Sequence, residues 1–174
     1  MGHGGLYRHK GINKMQTEEI IARLGALGVG YELHDHPPVE HALDRYELGL
    51  DFGACVCKNL FLTTRNESAF YVLMLPAEKN ADLRRIARAI GSSRLCFASD
   101  ARLEELLGQR PGMVSPLGVI HDTGRRVTVL FDAALRDKRV CVHPSDNTKT
   151  LVLDFAGLER YVKSFGEKII YIDA

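Results

Sequence analysis

Apolar positions along the chain switch between two periods. Ile20, Ile21, Leu24 and Leu27 recur at helical spacing, with Glu18 and Glu19 in the first turn, Thr17 as the expected N-cap and Gly28 as the stop. Tyr31–His34 reads as a short strand ended by Pro37-Pro38, and residues 40–51 as a short helix of poor periodicity. The runs 55-CVCKNLFLTT-64 and 69-AFYVLML-75, separated by 65-RNES-68, predict a hairpin. Asn80 or Asp82 can cap a helix over Leu83, Ile86, Ala87 and Ile90, closed by Gly91. A strand over 94-RLCFA-98 follows, then a helix over 100–107 capped by Ser99 and stopped by Gly108. After the loop 109-QRPGMVSPLG-118, strands are expected near 119–121, 127–131 and 139–143. The polar turn 144-PSDNTK-149 leads to a strand over 150–154, a helix over 155–165 and a last strand over 168–172.

Strands outnumber helices, and several are joined too tightly for βαβ crossovers. The expected fold is therefore α+β, with a curled, largely antiparallel or mixed sheet flanked by helices. Residues 1–14 are rich in Gly, His and basic residues without periodicity and read as a flexible arm; residues 15–174 read as one domain.

Composition narrows the function classes. With 174 residues, 45% hydrophobic, the chain can bury a core without disulfides or metals. Its longest apolar runs fall far short of the roughly twenty residues of a membrane helix, and the first residues hold no apolar signal core. A cytoplasmic protein is expected. A net charge of +1 gives no global field for duplex DNA, so a local patch must serve any nucleic acid. Arg84, Arg85 and Arg88, with Arg94 nearby, form the best candidate for touching RNA phosphates, although such a row is commonly a solvated helix face. Cys55 and Cys57 lack the spacing of a zinc knuckle or redox pair and read as core thiols on one strand face.

Several groups could carry chemistry. Lys58 and Asn59 interrupt an apolar strand, where an ammonium is costly to bury unless paired. They either present a cation and an amide to a pocket or, slightly favoured on the residues alone, point outward. The loop 112-GMVSPLG-118 combines stiff and permissive residues that can aim N–H groups at a carbonyl, or it is an ordinary turn. In 143-HPSDNT-148, His143 could move a proton, or the segment is a turn held by Asp146 and Asn147. His34, His36 and His41 make a poor metal set, and no nucleophile elbow surrounds Ser115.

Together, in order, Lys58-Asn59-Leu60-Phe61-Leu62, the G-x-x-x-P of Gly112–Pro116, and His143-Pro144 with Asn147-Thr148 resemble the YbaK/EbsC family of aminoacyl-tRNA editing domains. Within it the chain is most similar to the freestanding ProX-type branch, from Thr17 to the C-terminus; 70-FYVLMLP-76, 95-LCFASDARLEELLG-108 and 115-SPLGVIHD-122 add to the likeness. One departure is that 36-HPPV-39 is followed by Glu40 and His41, where the family often has an aromatic residue and a threonine. The resemblance implies a barrel-like curled sheet and hydrolysis of the ester joining a wrong amino acid to a tRNA 3′ end, most often alanine on proline tRNA. It implies Lys58, Asn59, Gly112 and His143 as catalytic, and Ser115, Pro116, Leu117, Asn147 and Thr148 as substrate-binding. No cofactor or metal follows. The implied partner is the tRNA 3′ end, with prolyl-tRNA synthetase as a further candidate, and neither membrane nor DNA. A deacylase for cysteinyl- or seryl-tRNA, or a non-catalytic tRNA-binding module of the same fold, are the alternatives.

Overall fold

The computed structural model describes residues 4–39, 41 and 44–174. Its longest strand, β2 (Cys55–Thr64), pairs antiparallel with β3 (Phe70–Pro76), from Cys57 opposite Pro76 to Thr63 opposite Phe70. The hairpin expected from the two apolar runs is therefore present. Its turn is organised by Asn66, whose Oδ1 accepts from the Thr64 and Ser68 hydroxyls at 3.0 and 2.8 Å.

The remaining strands are β1 (Tyr31–Asp35), β4 (Leu95–Phe97), β5 (Val127–Asp132), β6 (Arg139–Val142), β7 (Lys149–Asp154) and β8 (Ile169–Ile172). They form one sheet in the order β1-β7-β6-β2-β3-β5-β8, with β4 also pairing β2. Pairs β1/β7, β6/β7, β2/β3 and β2/β4 are antiparallel, while β2/β6, β3/β5 and β5/β8 are parallel. The mixed sheet matches the expected fold class.

Strand alternation divides the apolar residues between two layers. Cys57 and Phe61 of β2, Val72 and Met74 of β3, Val129 and Phe131 of β5, and Leu151 and Leu153 of β7 share the larger core. Helices α1 (Gly4–Ala26), α4 (Asp100–Leu107) and α5 (Phe155–Lys163) close it, through Ile20 and Leu24, Leu103 and Leu107, and Leu158 and Tyr161. Leu62 of β2 and Leu73 and Leu75 of β3 face the other way, onto Ile86 and Ala87 of α3 (Leu83–Ala89). Truncating any of these wholly buried leucines to alanine would cost about 2–5 kcal/mol.

Asp82 caps α3, accepting from the Arg84 and Arg85 amides, and Ser99 caps α4, which Gly108 ends at a φ of 61°. A short helix, α2 (Asp44–Glu47), lies within the segment read as 40–51; Glu40, Ala42 and Leu43 lie outside the described residues.

Two local expectations are corrected. Thr17 is not an N-cap: α1 starts at Gly4 and runs through it, and its hydroxyl donates instead to the Pro144 carbonyl at 2.7 Å. Residues 119–121 are not a strand but the end of a 3-10 helix, Pro116–His121, because the Ser115 hydroxyl accepts from the Leu117 amide and Pro116 occupies the first turn.

The pairing of β2 fixes where a site can open. On the side away from β3, its ladder to β6 stops at Val56 opposite Cys141, and its ladder to β4 begins only at Leu62 opposite Phe97. Between those points the sheet parts, and one edge of β2 faces no strand among the described residues.

Candidate active site

Lys58 and Asn59 stand in that parting. Lys58 is half-buried, opposite Leu75 of β3, on the face of Leu60 and Leu62. Among the described residues it has no ion-pair or hydrogen-bond partner. The ladder from Cys55–Val140 to Val56–Cys141, continued two residues along both strands, reaches Lys58 and His143. The ladder itself ends before them, so the two residues border the parting from its two sides. Asn59 points to the opposite face, that of Cys57 and Phe61, and its Oδ1 is buried without a hydrogen-bond partner.

His143 is buried, and its Nδ1 lies 2.9 Å from the Lys149 carbonyl. A carbonyl only accepts, so Nδ1 carries the hydrogen, and in the neutral ring Nε2 is the acceptor nitrogen. The His36 ring sits 6.2 Å from that of His143. By the same logic His36 Nδ1 donates to the Pro37 carbonyl at 2.7 Å, and Nε2, in the neutral ring, accepts from the Thr150 hydroxyl at 2.8 Å. Phe52 stacks on His34 at 4.4 Å and reaches His36 at 6.5 Å.

The loop after His143 is a turn held by Asp146, whose Oδ1 accepts from both the amide and the hydroxyl of Thr148, at 2.8 and 2.7 Å. The Thr148 hydrogen is thus committed within the turn. The Asn147 and Thr148 carbonyls accept from Val39 and His36 amides at 3.0 and 2.9 Å, which seats 36–39 beside the loop.

The 109–118 loop begins with a turn in which the Met113 amide donates to the Arg110 carbonyl, and Gly112 takes a φ of 80° at its exposed tip. Behind that tip, Ser115, Pro116 and Leu117 are buried; Ser115 and Leu117 are wholly inaccessible. They can shape a wall from within, but the Ser115 hydroxyl is already occupied as the cap of the 3-10 helix.

Gln109, which sequence reasoning did not single out, joins the two loops. It is 1% exposed; its Oε1 accepts from the Ser115 amide at 3.0 Å, and its Nε2 donates to the Ser145 hydroxyl at 3.1 Å. Adjacent residues of α1 grip the same pair of loops, Gln16 donating to the Gly108 carbonyl at 2.8 Å and Thr17 to that of Pro144. Thr150, Phe52 and His36 also escaped assignment, since only the β1–β7 register brings Thr150 to the histidines.

The thiols divide. Cys57 is buried and its pKa pushed up, while Cys55 is half-buried and lowered to about 7 by a hydrogen bond with Cys57, with the Lys138 ammonium assisting. The expected core burial therefore holds for Cys57 and only in part for Cys55.

Comparison with known proteins gives the geometry a context. A profile of the aminoacyl-tRNA editing domain matches residues 36–161. The prolyl-tRNA editing protein ProX of Acetoanaerobium sticklandii is 35% identical over 150 residues, covering 86% of this chain and 92% of that one. The bovine prolyl-tRNA synthetase associated domain-containing protein 1 is 27% identical over 155 residues, covering 87% and 91%. Among solved structures, a candidate trans-editing enzyme for prolyl tRNA synthetase superposes with a TM-score of 0.68 at 19% identity, over 90% of this chain and 95% of that one, a likeness of fold. By profile and by sequence, the chain belongs to the aminoacyl-tRNA editing domain family.

Proposed function

We propose that this protein hydrolyses the ester of mischarged tRNA in trans, with alanyl-tRNA(Pro) as its principal substrate. The observation that carries the reading is the half-buried Lys58, without a countercharge among the described residues, on β2 where its ladder to β6 ends and the sheet parts. A cation on a rigid strand suits the phosphate or the carbonyl oxygen of an aminoacylated 3′ end. His143, its ring fixed by the Lys149 carbonyl, suits the terminal ribose.

The chemistry needs little machinery. Water adds to the ester carbonyl carbon, and negative charge collects on the carbonyl oxygen, where Lys58 and loop amides near Gly112 stabilise it. Collapse breaks the bond to the ribose oxygen, which takes up the proton lost by the water. Free amino acid and intact tRNA result. Selection by size is required because a methylene or so is worth only about 1–3 kcal/mol in a synthetase pocket, so an error must be removed at a second, smaller site.

The tRNA body would lie along α3, where Arg84, Arg88 and Arg94 are exposed and have no ion-pair partner among the described residues, while Arg85 pairs with Asp173 at 2.6 Å. The name of the bovine relative ties that protein to prolyl-tRNA synthetase, and the same association is proposed for this chain. Deacylation assayed with wild type and Lys58→Ala tests the reading. Loss of turnover with retained RNA affinity supports it, and undiminished turnover in the variant overturns the role of Lys58.

A further inference from the structure

Main-chain directions along β2 can be read from individual bonds. The Val56 carbonyl accepts from Ala77 at 2.9 Å and the Thr64 amide donates to Ala69 at 3.2 Å, so even-numbered residues turn their main-chain groups toward β3. The Phe61 carbonyl accepts from Ala98, beyond β4, at 3.0 Å, so odd-numbered residues turn theirs the other way. Asn59 is odd. Its N–H and C=O therefore point into the parting between Val56–Cys141 and Leu62–Phe97, where no strand among the described residues meets them. One residue thus turns a main-chain donor and acceptor toward the opening and holds a buried side-chain oxygen without a partner, although buried polar atoms are nearly always matched.

We infer that the aminoacyl group of the substrate docks on β2 as a single residue of an added strand, exchanging two hydrogen bonds with the main chain of Asn59. The inference rests on the editing reading above and specifies how that site holds its ligand. An aminoacyl ester carries the same N–Cα–C=O unit as a chain residue. In a hydrogen-bonded antiparallel pair, opposed residues exchange both of their main-chain bonds, with Cα atoms about 5.5 Å apart. The Asn59 N–H donates to the ester carbonyl oxygen, and the Asn59 C=O accepts from the α-ammonium. Oδ1 takes a second ammonium hydrogen.

This pose explains why a size limit would arise here. Directly opposed residues share a face, so the amino acid side chain falls beside that of Asn59, toward Cys57, Phe61 and Met74. That side is filled by the core, whereas Lys58 stands on the other side of the strand, and it and His143 across the parting reach the ribose and the scissile bond.

The test is amide hydrogen exchange by NMR on the full chain, with 3′-deoxy-3′-(L-alanylamino)adenosine, an uncleavable amide, as probe. The Asn59 amide is expected to exchange quickly in the free protein and to slow at least about tenfold when the probe saturates, as its hydrogen bond forms. The Leu60 amide, directed at β3, should be slow throughout. If the probe inhibits deacylation yet Asn59 exchange is unchanged, or if Asn59 is already protected without it, the docking inference fails and the editing reading stands. If no aminoacyl-tRNA is cleaved and the probe does not bind, the editing reading falls and the inference with it.

Discussion

The Gln109 side-chain amide donates to the Ser145 hydroxyl at 3.1 Å across 36 residues of sequence, and its carbonyl oxygen receives the Ser115 amide. This buried link sets the spacing between the wall behind Gly112 and the turn that follows His143. Gln109→Met keeps the bulk and removes both bonds, leaving the Ser115 N–H and the Ser145 hydroxyl buried and unmatched. Each such group costs about 1–3 kcal/mol, so urea denaturation should show a loss in that range or somewhat above it. The ratio of alanine to proline release should fall as well, since the walls are no longer tied. An unchanged ratio in a folded variant would show that the link only stabilises.

Gly118→Ala probes the same contact from the other side. A Cβ at Gly118 would lie 2.6–2.8 Å from the Gln109 amide atoms, so the amide must shift. The expected loss is about 1–3 kcal/mol, from overpacking in a tightly filled site, measurable by the thermal midpoint.

Lys58→Ala should separate activity from stability. With no partner among the described residues for its ammonium, the side chain contributes little to folding, and the melting temperature should move by only a few degrees. Turnover should drop by about 100-fold or more, the usual effect of deleting a group that stabilises developing charge.

Glu167 makes stability fall as pH rises. Burial, with Asp122 close by, raises its pKa from 4.5 to about 7, Arg125 opposing in part, and both carboxylate oxygens lack hydrogen-bond partners. The folded state therefore holds a proton that the unfolded chain releases between pH 4.5 and 7. The advantage of folding is complete below pH 4.5 and is lost as pH climbs through 7, at up to about 1.4 kcal/mol per pH unit. Glu167→Gln should flatten denaturation curves between pH 5 and 8. An equally steep decline in the variant would assign it to another group.

The arginines of α3 should govern salt dependence. Replacing Arg84, Arg88 and Arg94 by alanine should weaken tRNA binding and lower the slope of log affinity against log salt by roughly 0.7–0.9 for each phosphate no longer neutralised. A slope equal to that of wild type would place the RNA elsewhere.

Elements with strong local signals were legible in the sequence. The 55–64 and 69–75 runs pair as expected, Asp82 and Ser99 cap their helices, and Gly108 ends α4. The start of α1 was not, because residues 4–14 lack an apolar period and Thr17 imitates a cap while bonding across 127 residues to Pro144. The segment 119–121 resembles a strand because its apolar residues are buried, but Pro116 and the Ser115 cap commit it to a 3-10 turn. For the site, Lys58 and His143 were legible as residues, while the end of the parallel ladder between β2 and β6, just short of both, is something periodicity does not encode. Gln109 and Thr150 are ordinary polar residues locally; only tertiary pairing buries the one against Ser145 and brings the other to His36.

The most direct measurement is a deacylation time course on alanyl-, seryl-, cysteinyl- and prolyl-tRNA(Pro), run with wild type and Lys58→Ala. Wild type is expected to release alanine rapidly and proline slowly, and the variant to release little of either. Preferential loss of serine or cysteine would contradict the assigned substrate, and stability of all four esters would contradict the enzyme itself.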